Sequence, residues 1–168
     1  MFEKFFSMLS GLSNEWMTIV VAALPVAELR GSIPLAILSL KMPVWKTFWL
    51  SILGNMLPVI PFLLILNPAT ERLRNFGLWR KFFERIFERT KKKAALVQKY
   101  EALGLALFVA VPLPMTGAWS GCIAASLFKI KFRYALLAIT AGVLIAGLIV
   151  TAVTLAGRGI FFQLFLAR

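Results

Sequence analysis

The chain has no histidine and no aspartate, and its seven acidic side chains are all glutamates. Without histidine there is no Ser-His triad and no imidazole metal site. Without aspartate the acid-bearing motifs of ATP-driven pumps are missing, and no GxxxxGK[ST] loop stands in their place. No nucleophile lies beside a base and no metal set can be assembled, so the chain reads as a non-enzyme with no cofactor. If it transports, it does so without an ATPase of its own. The single cysteine, Cys122, excludes an intrachain disulfide. It lies among small apolar residues, where it reads as a packing side chain and says little about redox compartment.

What the chain has in excess is apolar surface. Sixty per cent of its residues are hydrophobic and the mean hydropathy is +0.84, against about 45 to 50% apolar residues in soluble domains. A soluble core cannot hide that much. The composition predicts an all-α integral membrane protein, multi-pass, in the cell (inner or plasma) membrane, with residues 1–168 as one membrane domain that is incomplete as a monomer. The 19 basic residues fall mainly between apolar runs. They read as topology signals and contacts to anionic lipid headgroups, and not as a nucleic-acid surface.

Along the chain, Phe2, Phe5, Phe6, Leu9, Leu12 and Trp16 recur at helical spacing, which predicts an interfacial amphipathic helix over 1–16. Residues 17–40 form two short apolar runs around a polar interruption, Glu28 to Gly31. Each run is about half of a ~30 Å hydrocarbon layer at 1.5 Å per residue. A re-entrant helical hairpin and a single kinked crossing both fit. Residues 44–66 form a full-length span punctuated by Gly54, Asn55, Pro58 and Pro61. Asn67 and Pro68 then read as the N-cap and first position of a basic amphipathic linker, 67–101, with ten Lys or Arg, suited to the anionic cytoplasmic surface. Glu84 and Glu88 on that linker read as a solvated ion-pair face.

The pattern then returns. A second hairpin is expected over 102–128, broken at Pro112 to Gly117, followed by a basic loop and a second span over 134–157. An offset of 88 residues places Lys41 on Lys129 and Gly54 on Gly142. Two copies are therefore expected, each a re-entrant hairpin plus one transmembrane helix. If each copy crosses once, the repeats are inverted, one hairpin enters from each face, and their tips can meet near the midplane. The positive-inside rule places the linker in the cytoplasm. It leaves the termini open, because the hairpin and kinked-crossing topologies both put thirteen basic residues on one side and five on the other.

Charge inside an apolar segment costs at least ~2.5 to 3.5 kcal/mol on insertion scales, and so marks a functional site by default. Glu28 and Arg30 are the first candidates, Arg30 as a forked donor for phosphate or carboxylate, Glu28 as its counter-ion or as the carrier of a coupling proton. Ser32 and Thr116 are placed to cap the half-helices after the two breaks, which would aim N-terminal amides at an anion. Gly31, Pro34, Pro112, Pro114, Gly117 and Trp119 complete the candidate substrate site. The bland alternatives are an ion pair that only closes the hairpin tip, prolines that only break helices, and a Trp119 that only packs. Gly117 and Gly121, with Ala138, Gly142 and Ala146, make small-residue faces for internal packing first and for a homodimer second.

The stretches AELRGSIPLAI and PLPMTGAWSGCIAASL resemble the two signature regions of the small multidrug export family, over nearly the whole chain. The resemblance implies kinship with the broader DedA superfamily, with paired re-entrant hairpins, inverted repeats and an amphipathic N-terminal helix. Lys129, Lys131 and Arg133 stand where that superfamily has an Arg-rich motif. What it implies for function is a transporter of an amphipathic or anionic substrate, with proton coupling suggested. A lipid-phosphate or phospholipid flippase or scramblase is the near alternative, and a non-transporting membrane scaffold the distant one.

Overall fold

A computed structural model describes residues 13–73, 94–112 and 116–166. Most of the expected N-terminal interfacial helix, the centre of the basic linker with Glu84 and Glu88, and Pro114 lie outside the described residues. All the regular structure described is helical. In chain order it comprises α1 (Asn14–Ala23), α2 (Glu28–Pro34) running into a π-helical turn (Leu35–Ser39), α3 (Val44–Met56), α4 (Val59–Leu73), α5 (Ala94–Ala110), α6 (Ala118–Leu127) and α7 (Phe132–Leu166). Two stretches, Val44–Leu66 and Phe132–Arg158, are long and apolar enough to cross a membrane.

Prolines and left-handed residues set the boundaries. α1 stops at Ala23 because Pro25 forces the residue before it out of the helical region, and Leu24 is extended at ψ 135°. The turn is therefore Leu24 to Ala27, four residues earlier than the polar interruption suggests, and Glu28 to Gly31 form the first turn of α2. Pro34 has no N–H with which to continue the ladder, and the backbone widens at once into the π turn. Lys41 (φ 51°) and Lys129 (φ 54°), 88 residues apart, both take the left-handed conformation just before a long apolar helix. At Lys129 the Ile130 amide donates to the Ala125 carbonyl at 2.9 Å and the Lys129 amide to Ser126 at 3.1 Å, the hydrogen bonds of a Schellman end.

Three expected boundaries need correcting. The helix α4 runs straight through Asn67 and Pro68 to Leu73, so these two residues neither cap nor start a new helix. The first arm of the second hairpin and the end of the linker are one helix, α5, of 17 residues. The last helix begins at Phe132 and continues to Leu166, past Gly157, because no proline follows to stop it.

The chain divides into two compact units, one comprising the residues up to Pro58 together with those from Val143, the other Val59–Gly142. In the first, α1 and α2 fold back on each other and both pack on α3. Gly31 meets α1 through Val21, and Leu29, Ile33, Ala36 and Ile37 are buried. Thr18, midway along α1, has its Oγ1 3.5 Å from the Met42 sulfur, so the chain after the π turn has come back alongside α1. Lys46 and Glu15 form an ion pair at 2.7 Å beside the same end. Gly147 of α7 lies against Phe48 and Ile52 of α3.

In the second unit α6 packs on α4 and α5. A Cβ on Gly121 would stand 2.6 Å from Val109, and one on Gly142 would stand 2.7 Å from the Ala106 carbonyl oxygen. Both small residues thus serve internal packing. Fully buried Cys122 has its sulfur 4.0 Å from the Val59 carbonyl oxygen, and Ser126 Oγ donates to the Leu66 carbonyl at 3.1 Å.

Candidate functional site

Glu28 opens α2 in a conformation that L residues avoid. Its φ is 47°, in the left-handed region that costs a non-glycine residue roughly 1 to 2 kcal/mol. Its amide donates to the Leu24 carbonyl at 3.0 Å, which closes the turn. Strain of this kind persists where the surroundings dictate it, and it clusters at binding sites. The side chain is only 7% exposed, and its Oε2 lies 3.4 Å from Nη2 of Arg30. That separation exceeds the ~2.7 to 2.9 Å of a tight charge-assisted bond, so the pairing is loose. Arg30 keeps 29% of its side chain exposed. The arrangement is a buried carboxylate facing a guanidinium that can still be approached.

The other residues expected beside this pair take different parts. Ser32 does not cap α2, since the helix starts at Glu28; it sits in the helix interior, fully buried. Gly31 supplies the close approach to α1, and Pro34 ends α2. At the second break, Thr116 does not cap α6. Its Oγ1 donates backwards, to the Val111 carbonyl at 2.6 Å, and so spans the segment that contains Pro112. Gly117 is the N-cap, with its amide donating to Ser120 Oγ at 2.8 Å and that hydroxyl donating to the Gly117 carbonyl. Trp119 is half-buried and tilted against Phe62 of α4, ring centroids 4.8 Å apart. It is engaged in packing within its own unit.

A polar stripe on α3 completes the first unit. Thr47, Ser51 and Asn55 recur every four residues on the face that also carries Gly54, and all three are buried. Thr47 Oγ1, Ser51 Oγ, Asn55 Oδ1 and the Ser32 Oγ of α2 have no hydrogen-bonding partner among the described residues. A buried polar atom left so costs about 1 to 3 kcal/mol. Asn55 is legible in the sequence as punctuation of the span. Thr47 and Ser51 escape that reading, although polar residues at i, i+4, i+8 in an otherwise apolar helix are the signal that finds them. No group of three or more potential metal ligands among His, Cys, Asp and Glu occurs among the described residues.

A family model described as putative small multi-drug export protein matches residues 28–149, beginning at Glu28 itself. No curated protein and no solved structure matches the chain.

Proposed function

We propose, because the chain belongs to the small multi-drug export family, that this membrane protein is a carrier moving an amphipathic or anionic substrate past Glu28 and Arg30. The observation that carries the reading is the buried, strained Glu28 held loosely by Arg30 at the start of α2. Intramembrane charge that serves packing alone is uncommon, and a guanidinium with exposed surface is suited to a carboxylate or phosphate. Glu28 is the residue placed to exchange its counter-ion for a proton as substrate arrives and leaves.

The depth of the pair supports this reading. α1 has ten residues, about 15 Å, which is half of a ~30 Å hydrocarbon layer. At its outer end stand the Glu15–Lys46 pair and the exposed Trp16 and Trp45, a charged and aromatic level typical of the membrane interface. With Met42 back beside Thr18, the first hairpin is re-entrant on this reading and its turn lies near mid-depth. Each copy then crosses once, the repeats are inverted in the DedA manner, the linker is cytoplasmic and both termini are outside. In this scheme Gly31, Ser32, Pro34, Pro112, Pro114, Thr116, Gly117 and Trp119 shape the two breaks. The linker 67–101 contacts anionic lipid.

Reconstitution into liposomes tests the function. Flux of anionic or amphipathic probes above empty vesicles supports the carrier. Movement of labelled phospholipid alone would favour a flippase or scramblase, and no flux of any probe would leave a scaffold. Cysteine labelling at residues 1 and 168, in a chain with Cys122 replaced, tests the topology, and cytoplasmic termini would overturn it.

A further inference from the structure

We propose that the first hairpin is the moving half of this protein: α1 and α2 open away from α3, while the second hairpin stays closed on α7. The ground is a comparison of residues 88 apart in the chain. Lys41 and Lys129 are left-handed alike. The Thr47 amide then donates to the Pro43 carbonyl and the Ala135 amide to the Lys131 carbonyl, both at 3.0 Å, so α3 and α7 begin in the same way. Further along, Gly54 and Gly142 each meet a backbone carbonyl oxygen on the first arm of a hairpin. The same offset therefore pairs the side chains that these two helices bury.

Along those paired positions the two copies differ in polarity. Thr47, Ser51 and Asn55 are buried, and their counterparts Ala135, Ile139 and Val143 are buried as deeply but carry no polar side-chain atom. Ile139, at the place of Ser51, packs on Gly121 of α6. Ser32 of α2 corresponds to Ser120 of α6, whose hydroxyl accepts from the Gly117 amide at 2.8 Å and donates to the Gly117 carbonyl at 3.1 Å. Ser32 Oγ, Thr47 Oγ1, Ser51 Oγ and Asn55 Oδ1 are out of reach of solvent and have no hydrogen-bonding partner among the described residues. Each position left unsatisfied in the first copy is thus apolar or satisfied in the second.

This difference changes what opening costs. Closing the first copy takes four polar atoms out of water and gives them nothing in return, which cancels part of the gain from burying Leu29, Ile33 and Ala36. Opening restores their hydration. In the second copy, opening uncovers only apolar side chains at the paired positions of α7, and nothing offsets that. Open and closed packings therefore lie closer in free energy in the first copy, as a two-state element requires. At 100° per residue Thr47 lies about 20° from Gly54 around α3, and Gly54 faces Ile19 and Ala22 of α1, so separation of α1 from α3 uncovers Thr47. Water is close by, since the neighbouring Lys46 and its partner Glu15 are both two-fifths exposed. The swing carries the Leu24 to Ala27 turn with it and so moves Glu28. The use of that swing to pass substrate rests on the carrier reading; the inequality of the two copies does not.

The test is hydrogen–deuterium exchange of the full chain in phosphatidylcholine–phosphatidylglycerol bilayers, which reads local opening directly. Amides of residues 47–52 should exchange severalfold faster than those of their counterparts 135–140, and equal rates overturn the proposal. Thr47→Val combined with Ser51→Ala removes two hydroxyls and adds no bulk. That chain should melt above the wild type, and its exchange over 47–52 should slow towards that of 135–140. Unchanged exchange or a lower melting temperature would show that the hydroxyls do not loosen the first copy. Ala135→Ser is the converse variant and should speed exchange over 135–140; no change there counts equally against the proposal. Unequal exchange in a chain that moves no probe would keep the moving hairpin and remove the carrier, and equal exchange beside normal flux would do the reverse.

Discussion

Gly54 lies so close to Ile19 that a Cβ added to it would stand 2.4 Å from the Ile19 carbonyl oxygen. In the other unit Gly142, 88 residues later, meets the Ala106 carbonyl oxygen at 2.7 Å in the same sense. In each unit a glycine lets a long apolar helix touch the backbone of a hairpin's first arm. The obstacle is backbone, which cannot swing aside.

Gly54→Ala and Gly142→Ala should therefore each lower stability by about 1 to 3 kcal/mol, the range for overpacked sites. A Cβ added to Gly104 or Gly157 would meet nothing within 4 Å. There alanine should be neutral or stabilising by up to about 1 kcal/mol, from helix propensity alone. Thermal melts of the four variants in one detergent compare them directly, and equal losses at all four would refute the close-approach account.

Lys41 is exposed and left-handed. Glycine accepts that conformation freely, so Lys41→Gly should stabilise by about 0.5 to 1 kcal/mol once glycine's greater freedom in the unfolded chain is subtracted. Glu28→Gly relieves the same kind of strain but removes the carboxylate. It should keep the fold and lose transport, a combination that a purely structural Glu28 would not produce.

The Lys46 hydrogen bond holds the Glu15 carboxyl down at about 2, from an ordinary 4.5. The folded value lies below the unfolded one, so the pair's contribution is fully present above about pH 4.5 and fades as pH falls towards 2. Wild type should melt above Lys46→Gln at pH 6, with the gap narrowing below pH 4.5 and closing near pH 2. Both side chains are two-fifths exposed, so the gap should also shrink in high salt. A gap undiminished at pH 2 would assign it to lost packing.

Glu28 and Arg30 should separate in function. Arg30→Lys keeps the charge but loses the fork, and a bidentate anion site should weaken about tenfold, the equivalent of one charge-assisted hydrogen bond. Glu28→Gln keeps the shape and removes titration, so substrate should still bind while transport loses its dependence on a pH gradient. Breaking a fully buried pair costs ~3 to 5 kcal/mol. With Arg30 partly exposed the loss should be smaller, and both variants should fold. Wild-type transport in both would move the search to the second break.

The all-helical character and the two long apolar segments were written in local composition, and so was the pairing of Lys41 with Lys129 across 88 residues. Burial of apolar surface and proline stereochemistry act over a few neighbouring residues, so any window of the chain reports them. Charge proved a poor guide to where a helix begins. Pro25 ends α1 before the polar residues are reached, and once α2 starts at Glu28 neither Ser32 nor, in its own break, Thr116 is left in a capping position. Pro68 misled in the opposite way, since α4 continues through it.

Tertiary structure alone decided what each side chain meets. Gly54 and Gly142 align in the sequence, but only folding shows that each faces a carbonyl oxygen. Thr47 and Ser51 are ordinary hydroxyls in an apolar helix until the fold buries them and leaves their oxygens without a hydrogen-bonding partner among the described residues. Glu28 and Arg30 stand two residues apart in any conformation, yet it is the left-handed turn that buries the acid and leaves the base within reach. Such partners come from segments distant in sequence, and a hydrogen bond or a 2.4 Å approach has no signature in any one of them.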